Sequence, residues 1–384
     1  MDSKAAAREV IGQHQEHLVA LSHRIHAHPE LGFEEEQAAG WLQAMLADAG
    51  FQVRSGICDL PTAFEARAGS GPLHVAICAE YDALPAIGHA CGHNIIAATA
   101  VGAAQALARV ADDAGLTVFV IGTPAEEGGG GKIELVQRGA FADAHFAMMV
   151  HPYPYDIVDP LIVAASSIDV SYTGKESHAA AAPELGINAA DALTVAQTAI
   201  GLLRQHLRPT DRVHGIVTHG GDAPNIVPAH TSARYMVRAE TLNVLGEVQT
   251  KVLHCFEAGA LATGATLAIT DVHQPYAHME HDMRIAALYQ ENALALGRTF
   301  PPNVGRRLPV STDMGNVSLA LPSIHPMVDV GSLPFVNHQP EFAAACITPE
   351  ADRALVDAAL AMAWTALDVA AAPQLREQLL ARSA

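Results

Sequence analysis

The chain has 384 residues, enough for one large or two smaller cores, and half of them are hydrophobic. It carries 41 acidic residues against 22 Lys and Arg, a net charge of −19, which disfavours nucleic acid and anionic membrane surfaces as partners. Five scattered cysteines make no disulfide framework, the amphipathic N-terminus lacks a secretory apolar core, and no stretch reads as apolar and long enough to span a bilayer, so the expected location is the cytoplasm.

Residues 4–28 read as an amphipathic helix, with Val10, Ile11, Leu18, Leu21 and Ile25 at helical spacing. It breaks at His28-Pro29-Glu30-Leu31-Gly32. A second helix is expected over 34–49, then strands over 51–53 and 62–68. The continuous apolar run 73–79 predicts a strand buried on both faces. It feeds into Glu80-Tyr81-Asp82-Ala83-Leu84-Pro85 and Gly88-His89-Ala90-Cys91-Gly92-His93-Asn94. On a turning segment Cys91 and His93 point the same way, and a thiolate beside an imidazole suits a borderline-soft cation, zinc above all. A long Ala-rich helix over 95–110 and a buried strand over 117–122 follow. Strand, loop, helix, strand is the order of an open α/β sheet, whose sites collect at the carboxyl ends of strands.

The second buried strand runs into Glu126-Glu127 and four glycines. On extended backbone adjacent carboxylates point in opposite directions, so one can hold a metal while the other faces substrate or water. The glycine run lacks the spacing and the Lys-Ser/Thr of a phosphate loop, which argues against nucleotide binding. A helix is expected over 133–141. An apolar strand over 146–151 ends in His151, a further potential ligand.

The pattern changes near residue 165. Residues 167–173 alternate, with Ile168, Val170 and Tyr172 on one face and Asp169 and Ser171 on the other. A helix (188–207), strands (213–219 and 233–240), a helix (243–262) and a strand (266–272) follow. This strand–helix–strand–strand–helix–strand order predicts a ferredoxin-like α+β insert over 166–274. Residues 1–165 and 275–384 then form the other domain. The second stretch is expected to hold a helix over 284–296, a loop through 311–316, a strand over 323–330, a loop over 335–342, a helix over 349–371 and a solvated helix end after Pro373.

Motifs spread along the chain resemble the aminoacylase, hippurate hydrolase and auxin-conjugate hydrolase group of two-zinc metallopeptidases. They are His26-Ala27-His28-Pro29-Glu30, Asp82-Ala83-Leu84-Pro85, Ala90-Cys91-Gly92-His93, Pro124-Ala125-Glu126-Glu127-Gly128, His151-Pro152, Ser177-His178-Ala179-Ala180, Asn225-Ile226-Val227-Pro228 and His338-Gln339-Pro340-Glu341-Phe342. Asn94 and Ser311-Thr312-Asp313-Met314-Gly315 look closest to the branches containing p-aminobenzoyl-glutamate hydrolase and the β-alanyl-lysine-type dipeptidases.

The resemblance implies an open mixed-sheet catalytic domain with helices on both faces, and an inserted lid that also makes a homodimer. It implies two divalent ions, Zn with Mn or Co as alternatives, on Cys91, His93, Glu127, His151 and His338, with Cys91 bridging or ligating. Glu126 would be the general base and His178 the oxyanion group, while Asn225 and Arg238 would hold a substrate carboxylate. The implied activity is hydrolysis of the amide bond of N-acyl or N-aminoacyl amino acids, small molecules with a free carboxylate; an aryl amide hydrolase of the p-aminobenzoyl-glutamate type is the alternative. Glu80 departs from related peptidases, many of which carry a metal-binding His there. His93 is therefore expected to take over that coordination and Asp82 to orient an imidazole.

The same chemistry follows from the residues alone. Paired metals activate water and polarise a carbonyl, and a carboxylate beside a ligand can move the proton. Two other readings compete: a non-catalytic metal-dependent binding protein, whose mark would be a lost base, and a nucleophilic or redox Cys91, which lacks a Cys-x-x-Cys partner. His26, His28 and His89 read as structural, and Asp313 as either substrate contact or loop structure.

Overall fold

The computed structural model describes residues 2–271, 274–302 and 310–383. The chain divides into two compact units, Met1–Leu161 with Met279–Pro309 and Asp313–Ala384, and Ile162–His278 with Val310–Thr312.

The first unit opens with helices α1 (Ser3–Ala27) and α2 (Glu36–Asp48), strands β1 (Gln52–Ser55), β2 (Phe64–Gly69) and β3 (Leu73–Ala79), and helix α3 (His93–Ala108). A single turn, α4 (Ala111–Ala114), leads to β4 (Leu116–Gly122), α5 (Gly131–Gln137), β5 (Phe146–Met148) and β6 (His151–Tyr153). The second unit supplies β7 (Ala164–Thr173), α6 (Ala189–Leu203), β8 (Arg212–His219), β9 (His230–Ala239), α7 (Leu242–Thr263) and β10 (Thr266–Asp271). The first unit resumes with α8 (Met283–Ala295), α9 (Met314–Ala320), β11 (Ser323–Ile324), β12 (Met327–Asp329), α10 (Pro340–Ala345), α11 (Pro349–Ala371) and α12 (Pro373–Leu380).

In the first unit a six-stranded mixed sheet runs β1-β2-β4-β3-β5-β11, with helices on both faces. β3 lies between β4 and β5, parallel to both, while β2 is antiparallel to β4. Every residue of β4 is buried, and all of β3 but His74, which accounts for their unbroken apolar sequence. Because β3 and β4 are parallel with Ala79 opposite Gly122, the loops that follow them leave the sheet side by side. α3 is buried from His93 to Leu107; its Ala-rich surface lets α1 and α11 pack closely against it.

The second unit is a four-stranded antiparallel sheet in the order β10-β7-β9-β8, packed on α6 and α7. Ile168, Val170 and Tyr172 are buried as the alternation predicts. On the exposed face Arg234 grips Asp169 directly across the β7–β9 pair with two 2.7 Å bonds. Residue 272 of the expected last strand lies outside the described residues.

Several expectations need correction. The strand expected over 146–151 is two: β5 joins the main sheet, and β6 pairs with β12 in a separate two-stranded ribbon. The strand expected over 323–330 splits likewise at His325-Pro326, where proline withholds a ladder N–H. α9 begins inside the loop expected over 311–316, and α10, with proline in its first turn, inside the loop expected over 335–342. α12 buries Leu375 and Leu379, so the tail is packed along one side. Finally, α11 is long and apolar enough by length and composition to cross a membrane, against the expectation that no stretch is. Its most apolar window is 78% buried, against α3, α1 and α8, which is the setting of a core helix.

Candidate metal centre

Three loops of the first unit leave neighbouring strand ends and meet. After β3 come Glu80 and Asp82, then the turn carrying Cys91. Gly92 there has φ 80, and a Cβ would stand 2.9 Å from Pro152, so only glycine lets the chain turn into α3 with His93 as its first residue. After β4 comes a turn in which Ala125 adopts φ 55, followed by Glu126 and Glu127. His151 starts β6. His338 lies in the loop before α10, also in a left-handed conformation (φ 69), its N–H donating to Ala90 O at 2.8 Å. Two non-glycine residues at positive φ in one site are strain held by the surrounding structure.

The donor atoms of Cys91, His93 and His151 lie within 4.8 Å of one another, and so do those of Cys91, Glu127 and His338. The two sets share Cys91. Its Sγ stands 3.5 Å from His151 Nε2, and His338 Nε2 stands 3.4 Å from Glu127 Oε1. All five expected ligand residues are therefore gathered in two adjacent donor sets. A thiol, imidazoles and carboxylates match the preferences of zinc and its neighbours. His93 supplies a direct test of fit. Its Nδ1 contacts Asp82 Oδ1 at 3.0 Å, while its buried Nε2 has no hydrogen-bond partner and stands 3.5 Å from Glu80 Oε2, a ring nitrogen among acids where a cation fits. The clusters of His, Cys, Glu and Asp gathered here suit a dinuclear site for two divalent ions such as Zn, Mn or Co.

Glu126 and Glu127 do not diverge as extended backbone would make them. They sit in a turn, and Glu126 Oε2 and Glu127 Oε1 approach the same His93 Nε2, at 3.9 and 4.0 Å. Their proton affinities are nevertheless driven apart. Burial, and then the charges of Glu80, Glu127 and Asp313, push Glu126 well above the ordinary carboxylate range. Burial also acts on Glu127, but the His338 ring 3.4 Å away and the charge of His93 outweigh it and lower its proton affinity. Burial and the Glu127 charge raise the Cys91 thiol well above its usual value.

Below this centre lies an ion cluster that the sequence did not announce. Lys132 is completely buried, its Nζ 2.6 Å from Glu80 Oε1 and 2.7 Å from Asp313 Oδ1, and its N–H donates to Asp313 Oδ2 at 2.9 Å. Burial works against the ammonium, but Asp313 and Glu80 keep it protonated. Glu80, Glu126 and Asp313 have oxygens within 4.8 Å of one another, and Lys132 pairs with two of these three acids. The available signal was a surplus of acids in apolar surroundings, which require a cation somewhere. Asn337 was also missed; its side-chain amide donates to Pro152 O at 3.2 Å and to Cys91 Sγ at 3.7 Å. His26 Nε2 contacts Ala343 O at 2.8 Å, and His89 is buried with neither ring nitrogen hydrogen-bonded.

His178, Asn225 and Arg238 belong to the second unit. His178 is exposed and pairs as a β-bridge with Ile226, and Asn225 O accepts the N–H of Ala179, so the first two share neighbouring turns. His178 Nδ1 accepts from the N–H groups of Ala180 and Ala181, at 3.2 and 3.1 Å. Arg238, partly buried on β9, donates to Ser311 Oγ at 2.8 Å.

The α/β sheet, the two donor sets and the carboxylate pair define a metal-dependent amide hydrolase. Comparison with known proteins gives the kinship. A sequence profile of "Peptidase family M20/M25/M40" matches residues 76–354, and the chain belongs to that family. It is 40% identical to the Xaa-Arg dipeptidase of Mus musculus over 97% of this chain and 90% of that one. It is 33% identical to a component of the p-aminobenzoyl-glutamate hydrolase of Escherichia coli K12 over 64% of this chain and 56% of that one. Among solved structures, a dinuclear metal-binding M20 peptidase of Bacillus subtilis superposes with a TM-score of 0.72 at 21% identity, covering 93% of this chain and 99% of that one, a likeness of fold.

Proposed function

We propose that this protein is a dipeptidase that cleaves the amide bond before a C-terminal basic residue, with Glu126 as its general base. The observation that carries the reading is the Glu126–Glu127 pair beside the two donor sets, with oxygens 3.9 and 4.0 Å from His93 Nε2. Cys91, His93, Glu127, His151 and His338 would hold two divalent ions, which when bound polarise the scissile carbonyl and ease the ionisation of water. Glu126 takes the proton of the attacking water and returns it to the departing nitrogen. Because Nδ1 of His178 accepts two backbone hydrogen bonds, the neutral ring carries its proton on Nε2, the form needed to donate to an oxyanion. Asn225 and Arg238 bind the substrate carboxylate.

The substrate class is supported by the activity for which the 40%-identical relative is named and by the acidic balance of the chain, which attracts cations. The 33%-identical relative favours an aryl amide of glutamate as the second reading. The second unit serves as lid and homodimer contact, and the protein works in the cytoplasm, where free thiols such as its five persist.

The test is turnover of alanyl-arginine, β-alanyl-lysine and p-aminobenzoyl-glutamate by the zinc-loaded protein and by Glu126→Gln. Alanyl-arginine should be the best substrate. Glu126→Gln should retain its zinc and lose roughly 10²–10⁴-fold in kcat. Preference for the aryl amide would transfer the assignment to the second reading, and undiminished turnover by the variant would remove Glu126 from the mechanism.

A further inference from the structure

We infer that Glu35, which touches none of the metal-site donors, is a positioning residue that fixes the turn carrying Glu126; the inference rests on Glu126 being the base. Glu35 closes the segment between α1 and α2 and is fully buried. Its Oε1 accepts the N–H of Ala125 at 2.8 Å, and its Oε2 accepts the Thr62 hydroxyl at 2.8 Å. On the other side of Glu126, the N–H of Glu127 donates to Asp82 Oδ2 at 2.8 Å. The Pro124–Ala125 peptide, one residue ahead of the base, and the Glu126–Glu127 peptide after it are thus both tied to buried carboxylates, from residues 90 and 45 positions away in sequence.

The rest of the segment conforms to the same turn. A Cβ on Gly32 would come within 2.9 Å of Ala125 Cβ, and one on Gly129 within 2.8 Å of the Phe33 ring. The O of Glu30 accepts the N–H of Ala83 at 2.8 Å, so the segment also holds the loop bearing Asp82. Ala125 has φ 55, a conformation that alanine keeps only under constraint. The hydrogen bond that the Ala125 N–H donates to Glu35 supplies that constraint one residue before the base. Without it the turn relaxes and the Glu126 carboxylate drifts from its working position, and a displacement of ~1 Å costs ~10²-fold in rate.

The experiment compares Glu35→Ala, Glu35→Gln and Glu35→Asp in the zinc-loaded full chain, with alanyl-arginine as probe and zinc content measured on each. Glu35→Ala should lose about 10²-fold in kcat, with KM within about twofold and two zincs retained. Glu35→Gln, whose amide oxygen still accepts from Ala125, should recover to within about threefold of wild type. Glu35→Ala with kcat unchanged, or with zinc and kcat lost in equal proportion, overturns the inference. If Glu35→Ala does not fold, Glu35→Asp decides. Its acceptor, withdrawn by one methylene, should lower kcat at least about tenfold with zinc intact, and an unchanged kcat overturns the inference. Glu126→Gln measured alongside separates the two claims. If it is active, the base reading fails; if it is inactive while the Glu35 variants are not, only the positioning role fails.

Discussion

Asp82 accepts the backbone N–H of Glu127 at 2.8 Å, joining the loop after β3 to the turn after β4. The other oxygen of the same carboxylate meets His93 Nδ1 at 3.0 Å. The charge of His93, that hydrogen bond and the Glu127 N–H together outweigh burial and keep Asp82 ionised. One side chain therefore sets the ring of one ligand and the backbone of another.

Replacing Asp82 with alanine should free both. Metal affinity is expected to fall roughly 10–100-fold, measured by competition with a chelator of known affinity. An unchanged affinity would mean that His93 is oriented by its packing alone.

Lys132→Met should be among the most destabilising single changes in the chain. It leaves Glu80 and Asp313 buried without their ammonium, at a cost of about 3–5 kcal/mol. Adding Glu80→Gln to the same variant should return part of that loss. Urea unfolding of the metal-free proteins gives both numbers, and a double variant no better than the single one would contradict the pairing.

The carboxyl of Glu35 is raised to about 7 by burial and then by the neighbouring Asp82 charge. The folded state thus binds its proton more tightly than the unfolded chain does. The resulting stability is full below about pH 4.5 and is lost as pH rises through about 7, a span worth about 3 kcal/mol. Glu35→Gln cannot titrate. The stability gap between wild type and this variant, both stripped of metal, should therefore change steadily across that window and be flat above it. A constant gap from about pH 4.5 to about 7 would assign Glu35 an ordinary carboxylate.

Dialysis against a chelator should abolish turnover, and Zn²⁺, Mn²⁺ or Co²⁺ should restore it. Readdition should also raise thermal stability, by about 2.7 kcal/mol per site at a free metal concentration of about 100 Kd. A stripped protein that remained active would revive the cysteine reading.

The sequence disclosed what depends on periodicity. The run 73–79, buried on nearly every residue, coincides with β3, 349–371 coincides with α11, and the alternation of 168–172 marks β7. The ligand residues were legible because imidazoles and a lone thiol stood next to strand ends in recognisable motifs. What stayed hidden is set by long-range contact. Glu126 and Glu127 converge because Ala125 turns left-handed under a bond from Glu35, and no spacing rule encodes that. Lys132 looked like surface because lysine normally is, and only the folded chain brings Glu80 and Asp313 to it.

The insertion of β7 to β10 between β6 and α8 separates His338 from the other four ligands by almost half the chain. β11 and β12, which complete the sheet edge and the ribbon, are also encoded beyond it. A polypeptide emerging from the ribosome thus displays Cys91, His93, Glu127 and His151 long before the fifth donor exists. Loading of the second donor set is consequently an event of the chain beyond His338, and a translation product cut short ahead of it holds one donor set complete and the other without its imidazole.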